Sequence, residues 1–347
     1  SLGIGFAPVF WGFLSAFAEF FGSLGEIAPH LLLSAARVVA ALTIGTLLAA
    51  PLGLMLVSYL TRRFFPGAES SGVPQTIAAM EMQNKSAVLS FRNAIGKLLM
   101  TTMGLFSGAS VGIQGPSVHI GASIMYSLHR FAHFPAFYRQ GLIAAGGAAG
   151  FAAAFNTPLA GVIFSMEVVM MEYSLVSFAP VILAAVTATT LTQLVFGDAP
   201  VFSIPTMQLG SLYELPYVVI MGIALGCLAA LLIHLMQHSA RLSSGWAVWV
   251  RCTLGGGVVG LIALGVPEVM GIGYDTLNQA LLGQLGVVVL LVITTAKLLA
   301  SALGLGLGLP GGLIGPTLVI GATAGGAMGI LADNWLPGDI ASPAFYA

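Results

Sequence analysis

Two stretches carry the clearest chemical signal in this chain. GIQGPSVHIGAS begins at residue 112 and GLIGPTLVIGAT at residue 312, 200 positions apart. Both fit the pattern G-x-x-G-P-[ST]-[VL]-x-I-G-A-[ST]. In each, a Gly-rich loop precedes a Pro, and Pro suits the first turn of a helix. Backbone N–H groups exposed at such a start carry partial positive charge and attract anions. Two facing copies would aim two helix N-termini at one point. Such a site holds an anion without a full positive charge, so the ion can leave as well as enter. The glycines could instead serve only close helix packing. One copy alone would favour that reading; two copies at matched positions favour the anion site. Ser71 is a third candidate, beside Gly72 and before Pro74. Its hydroxyl could donate to an anion or simply cap a helix.

The remaining ionisable groups offer little chemistry of another kind. Lys97 lies in an otherwise apolar run, where a Lys points at a cavity or partner, or snorkels to the interface. Arg37 sits similarly, with packing or interface anchoring as its expected role. His119 falls inside the first repeat copy, but Val319 is its counterpart in the second, so lining or packing is expected rather than proton relay. Glu81 and Asp275 fall near segment ends and are expected to face solvent. Cys227 and Cys252 lie in or beside apolar stretches with no disulfide or metal spacing, and both read as packing residues. No metal and no cofactor is expected. Paired Asp, His-Glu-x-x-His and Ser/Lys arrangements are missing from the apolar runs, so an intramembrane hydrolase, or any enzyme, is not expected. A cation-coupled solute transporter would want several carboxylates near broken helices, and these motifs offer none.

The elements that must hold these residues are membrane helices. The 347 residues are 58% hydrophobic and only 7% charged, with a mean hydropathy of +1.00. Soluble domains carry about 25% charged residues, and no water-soluble fold could hide this much apolar surface. Apolar runs fall near 31–60, 93–111, 138–155, 158–171, 175–197, 215–238, 246–266, 285–308 and 311–332. Several are shorter than the ~20 residues of a straight span, and 45 Gly and 17 Pro interrupt many of them. Broken helices at membrane depth are tolerated when buried in protein or lining an aqueous cavity. The fold class expected is therefore an all-α polytopic membrane protein of tilted, broken helices. The formal net charge of −1 and the scattered Lys and Arg give no case for nucleic acid. Arg62-Arg63, Lys85, Arg92 and Lys97 place a thin positive-inside vote near the cytoplasm. The chain starts at Ser1, without an initiator Met or a signal-peptide pattern, as expected at the edge of a trimmed chain.

The repeat suggests two halves, residues 1–197 and 198–347, with substrate bound where they meet near the bilayer midplane. FNTPLAG (155–161) has no counterpart before Ala347, so the second half is expected to be incomplete as given.

Four motifs, taken in order, resemble the CLC family of chloride channels and transporters. SSGVP (70–74) resembles its GSGIP, and GIQGP (112–116) its GxEGP. AAFNTPLAG (153–161) matches the segment before its inner-gate helix, and GGLIGP (311–316) resembles its GxFxP. The likeness covers roughly residues 30–335. It implies two inverted halves, a homodimer with one pore per subunit, and a multi-pass protein of a bacterial inner or plasma membrane. It also implies a central anion held by Ser71 and the N–H groups of Leu313 and Ile314. An outer site would use the N–H groups around Ile113, Gln114 and Gly115. The family's pore Tyr would lie beyond residue 347; Tyr173 and Tyr213 are poor substitutes by position. Lys97 matches a family Lys that supplies positive potential near the pore. Ser at position 71, rather than Pro, resembles the chloride-selecting members.

Two departures bear on mechanism. Where the family has its gate glutamate, this chain has Gln114, an amide that cannot titrate. The inner proton acceptor of the exchangers falls at Val168; Glu167 matches a preceding acidic residue, and Glu172 is one helical turn beyond. Both departures lead to the expectation of an uncoupled chloride channel, voltage- or anion-gated. The alternative is a proton/chloride exchanger with a substituted gating glutamate. Val168 speaks against it, because a change at the gate alone would not also produce a valine at the inner position.

Overall fold

The computed structural model describes residues 48–82, 85–171, 175–202, 204, 211–335 and 341–347. Arg37, Glu172 and Tyr173 lie outside the described residues. Helices dominate, and among the described residues there is no β-strand. In chain order they are α1 (48–64), α2 (Val73–Glu81), α3 (Phe91–Phe106), α4 (Gln114–Phe131), α5 (Arg139–Phe155), α6 (Pro158–Phe164), α7 (Leu175–Phe196), α8 (Leu215–Leu242), α9 (Val248–Gly265), α10 (Tyr274–Leu281), α11 (Val287–Gly306) and α12 (Ile314–Trp335). Five helices among the described residues are long and apolar enough to cross a bilayer: α7 from Phe178, then α8, α9, α11 and α12 to Asp333. Others are short, with nine residues in α2, seven in α6 and eight in α10. These are the broken pieces the Gly and Pro content anticipates.

Local chemistry sets the breaks. In FNTP, Asn156 takes a left-handed conformation (φ 56°) and ends α5. Thr157 is extended, as the residue before a Pro must be, and Pro158 opens α6. Helix α6 runs into a π-helical turn, Ser165–Met170, stopped by left-handed Met171. Cores form where these pieces stack. One gathers Ala79, Val118, Ile143, Val162 and Val181 from α2, α4, α5, α6 and α7. A second joins Leu54 of α1 to Cys252 of α9 and Ala300 of α11. Helices α4 and α5 touch backbone to backbone: a Cβ on Gly121 would lie 2.0 Å from the Gly146 carbonyl oxygen. Only small residues allow that approach.

The repeat reaches well beyond the two twelve-residue copies. α1 to α4 recur as α9 to α12, each close to 200 positions on. Pro66–Ala68 and Pro267–Val269 form matching 3-10 turns ahead of α2 and α10. Gly72 (φ 109°) and Gly273 (φ 85°) are the N-caps of α2 and α10, and Gly108 (φ 87°) and Gly308 (φ 98°) follow α3 and α11. The copies are inverted. Gly112 N–H donates to the Gly312 carbonyl and Gly312 N–H to the Gly112 carbonyl, both at 2.7 Å, forming an antiparallel bridge. The two loops therefore converge on a common point, as the sequence repeat requires. A second tie between the copies, Ser110 Oγ to Ser301 Oγ at 3.0 Å, is buried nearby.

One expectation is corrected. Cys252 is buried, but Cys227 is exposed on α8 and packs in no core, because that face of α8 is turned outward. Of the two placements the sequence left open for Lys97, snorkelling is the one the structure rules out. Lys97 is fully buried, because three backbone carbonyls receive its ammonium inside the protein. Glu81 and Asp275 are exposed at helix ends, as expected.

Candidate functional site

The site grows from the Gly112–Gly312 bridge. Immediately after it, α4 starts at Gln114 and α12 at Ile314, each with its Pro as third residue. The first intrahelical donors are Ser117, to the Ile113 carbonyl, and Thr317, to the Leu313 carbonyl. The N–H groups of Gln114 and Gly115 in one copy, and of Ile314 and Gly315 in the other, precede those donors and have no intrahelical acceptor. Two helix N-termini thus start back to back, each with the positive end of its dipole at the crossing. Glycine makes the approach possible. A Cβ on Gly115 would lie 2.6 Å from the Ser71 carbonyl oxygen and 3.3 Å from Gly312 Cα.

Beside the crossing opens a cavity of about 600 Å³. Ser71, Gly115, Leu313 and Ile314 line it, together with Phe164 and Val168. Four of the six anion-site candidates, and the inner position, are therefore brought to one space from four elements far apart in sequence. Ile113 and Gln114 do not line this cavity. Gln114 is fully buried, and its Oε1 packs against Gly112 and Gly315. A Cβ on Gly112 would lie 2.6 Å from that oxygen. The carboxamide thus fills the gap between the two loops, ahead of the cavity.

Ser71 is not a helix cap. Gly72 is the N-cap of α2, and Gln75 Oε1 accepts the Gly72 N–H at 2.8 Å. Ser71 precedes the cap, and its hydroxyl bonds to none of the described residues, so it is available to the cavity. Lys97 holds the loop before it, donating to the carbonyls of Ala68 and Glu69, each at 3.1 Å, and of Ser70. The ammonium does not reach the cavity lining. Farther along the lining stand Arg62, Glu69 and Arg251. Arg62 Nε lies 3.6 Å from Glu69 Oε1, and Arg251 Nη2 donates to the Gly306 carbonyl at 3.2 Å.

His119 is buried, both ring nitrogens have no partner among the described residues, and the ring is no part of the cavity lining. Tyr213 is 90% exposed and far from playing the pore tyrosine's part. Among the described residues, no cluster of His, Cys, Asp or Glu could hold a metal ion.

Sequence reasoning missed two polar residues at the crossing. Tyr274, first residue of α10, accepts a hydrogen bond from Gln114 Nε2. Lys297 on α11 is fully buried, and donates to the carbonyls of Val269 and Gly271, both at 2.9 Å. A signal for Lys297 existed: it stands 200 positions after Lys97, the offset of the repeat. Nothing in sequence marks Tyr274 as a neighbour of residue 114.

Comparison with known proteins places this geometry. The family model for the voltage gated chloride channel matches residues 53–347. The H(+)/Cl(-) exchange transporter ClcA of Vibrio campbellii is 30% identical over 345 residues, covering 94% of this chain and 73% of the relative. ClcA of Citrobacter koseri is 32% identical over 297 residues, covering 82% of this chain. The chain spans 62% of that relative's length. Among solved structures, a slow cyanobacterial Cl-/H+ antiporter superposes with a TM-score of 0.78 at 23% identity, over 89% of this chain and 74% of its own. A CLC-type fluoride/proton antiporter gives 0.70 at 22% identity, over 88% and 75%. At those identities the structures speak for the fold. With the inverted helix starts, the apolar spans and these matches together, the chain belongs to the voltage gated chloride channel, or CLC, family of multi-pass membrane proteins.

Proposed function

We propose that this chain forms the anion pathway of a chloride transporter of the proton/chloride exchanger kind, with glutamine in place of the gating glutamate. The observation that carries the pathway is the meeting of two helix N-termini at Gly112 and Gly312, at the head of the cavity lined by Ser71, Leu313 and Ile314. An anion there would take the Ser71 hydroxyl and the N–H groups of Leu313 and Ile314 as its central ligands. Those around Ile113, Gln114 and Gly115 would form the outer site. Gln114 is the gate. The exchanger assignment rests on the relatives, which are named H(+)/Cl(-) exchange transporters. In such a protein the proton would travel by groups other than residues 114 and 168, and Glu167, beside Val168, is the carboxylate to test.

Uncoupled passage, with voltage- or anion-driven gating, is the second reading. Gln114 and Val168 favour it, since neither binds and releases a proton near neutral pH. Liposomes holding a chloride gradient and no pH gradient separate the two. Chloride-driven proton movement that builds a pH difference is expected for the exchanger, and its absence during active chloride efflux would leave the uncoupled reading.

A homodimer with one pathway per subunit is proposed from the family resemblance. Outward apolar residues on α7 and α8, such as Leu194, Val219 and Ile223, suit either lipid or a second copy. Crosslinking in the membrane distinguishes them.

A further inference from the structure

Tyr274 and Lys297 take no part in the pathway described above, yet both act on the residue that blocks it. Gln114 fills the gap between the Gly112 and Gly315 loops, and the hydrogen bond from its Nε2 goes to the Tyr274 hydroxyl. Its Oε1 has no partner among the described residues. Among the described residues, the tyrosine is therefore the one side chain that hydrogen-bonds the carboxamide and fixes where it rests. The ring is held in turn: it packs edge-on against Phe202, centroids 5.2 Å apart at 84°.

The loop that delivers Tyr274 is held by Lys297. Its ammonium donates to the carbonyls of Val269 and Gly271, and Gly271 N–H donates to the Ala109 carbonyl at 3.1 Å. Gly271 (φ 67°) and Gly273 (φ 85°) give the chain its sharp entry into α10. A Cβ on Gly273 would lie 3.3 Å from Lys297 Nζ and 3.0 Å from Val319 Cγ2. The lysine is thus packed directly under the residue that precedes the tyrosine.

We propose that Tyr274 is the latch that holds Gln114 in the closed position of the outer gate, and that Lys297 is the positioning residue that sets the latch. The proposal rests on the reading of Gln114 as a gate. Closed and open states differ by one neutral hydrogen bond at residue 114, and the side chain must leave Tyr274 before an anion can pass.

Chloride efflux from liposomes holding the full-length protein tests this, with Gln114→Ala, Tyr274→Phe and Lys297→Met alone and in pairs. Gln114→Ala removes the plug and is expected to raise the rate. Tyr274→Phe keeps the ring packing and loses only the acceptor; a rise of about threefold to tenfold is expected, the span one neutral hydrogen bond supports. Lys297→Met should raise the rate in the same direction, and should add nothing once Tyr274 is Phe. Both effects should vanish in the Gln114→Ala background, which a general loosening of the fold would not produce. Should Lys297→Met not fold, Gly273→Ala disturbs the same contact from the loop side. Gln114→Ala with an unchanged rate would sink the gate reading itself. A raised rate in Gln114→Ala beside a wild-type rate in Tyr274→Phe would overturn the latch alone. A Lys297→Met or Gly273→Ala effect that persists in Tyr274→Phe would overturn the positioning role.

Discussion

Lys97 and Lys297 do the same work in the two copies of the repeat. Both are fully buried, and among the described residues neither has a carboxylate in salt-bridge range of its ammonium; backbone carbonyls take its hydrogen bonds instead. Lys97 binds those of residues 68 to 70, just before Ser71. Lys297 binds those of residues 269 and 271, just before Tyr274. A buried charge is costly unless it is fully hydrogen-bonded, and these loops supply the acceptors. Each lysine thereby fixes a loop that carries a polar side chain toward the crossing.

Lys97→Met is expected to cost stability and anion affinity together. The substitution leaves three carbonyls without their donor, each worth about 1–3 kcal/mol if it stays buried and unpaired, partly offset because no charge is then buried. A net loss on the order of 2 kcal/mol should lower the thermal midpoint in detergent. Freed from its clamp, the loop should let Ser71 wander, and chloride titration by calorimetry should show weaker binding. Unchanged affinity in a folded Lys97→Met protein would mean the loop holds its shape without the lysine.

Gly112 has no room for a methyl group. Its Cβ would fall 2.6 Å from Gln114 Oε1 and 2.8 Å from Gly315 N. Gly112→Ala must push the two loops apart, and overpacking of this kind costs about 1–3 kcal/mol. Transport should fall sharply, since the helix starts would no longer converge. Gly257, in α9, is the contrast: nothing lies within 4 Å of its added Cβ. Gly257→Ala should leave transport intact and gain up to about 1 kcal/mol from helix propensity. Equal behaviour of the two variants in a thermal shift and efflux assay would refute the argument from close approach.

Ser71→Gly tests the central site. The hydroxyl is one of few side-chain donors at the cavity, and the loop beneath it is held independently by Lys97. The variant should fold, and its chloride-over-nitrate preference should shrink. Anion competition in efflux assays reads this directly. A preference equal to wild type would take Ser71 out of the anion's ligand set and leave selection to the backbone N–H groups.

How much of this was legible in the sequence depended on how local each signal was. Gly-Pro helix starts are written in a few adjacent residues, so the copies at 112 and 312 were found, and their convergence followed. The break at FNTP was equally local. Lys297 carried a signal at the repeat offset, but the residues around it differ from those around Lys97, and the correspondence of α3 with α11 emerges only from their shared position before the loop. Tyr274 could not be read at all: its contact with Gln114 spans 160 positions and depends on how α10 enters. The π-helical turn at Ser165–Met170 also left no mark. Val168, inside that turn, lies on the cavity wall.

The last prediction concerns protons. With an amide at position 114, the gate has no charge state to change, so chloride flux should vary little between about pH 4 and 6, where a carboxylate gate would titrate. Gln114→Glu supplies that carboxylate. Ionised, it would compete with an anion for the N–H groups at the crossing, and protonated it would not. Flux in Gln114→Glu should therefore rise as pH falls through the carboxylate range, while the parent stays flat. Coupling is a separate matter, because an exchanger also needs a proton acceptor on the cavity side. Val168 lines that cavity and cannot serve. If Glu167 serves instead, the parent protein should already move protons when chloride runs down, and Glu167→Gln should abolish that movement while chloride still flows. If no group serves, the parent should be uncoupled, and coupling should appear only when Gln114→Glu and Val168→Glu are combined. Simultaneous recording of chloride and proton flux from the same liposomes decides between these outcomes. Strong pH dependence in the parent protein would contradict the account of Gln114 as a permanently neutral gate.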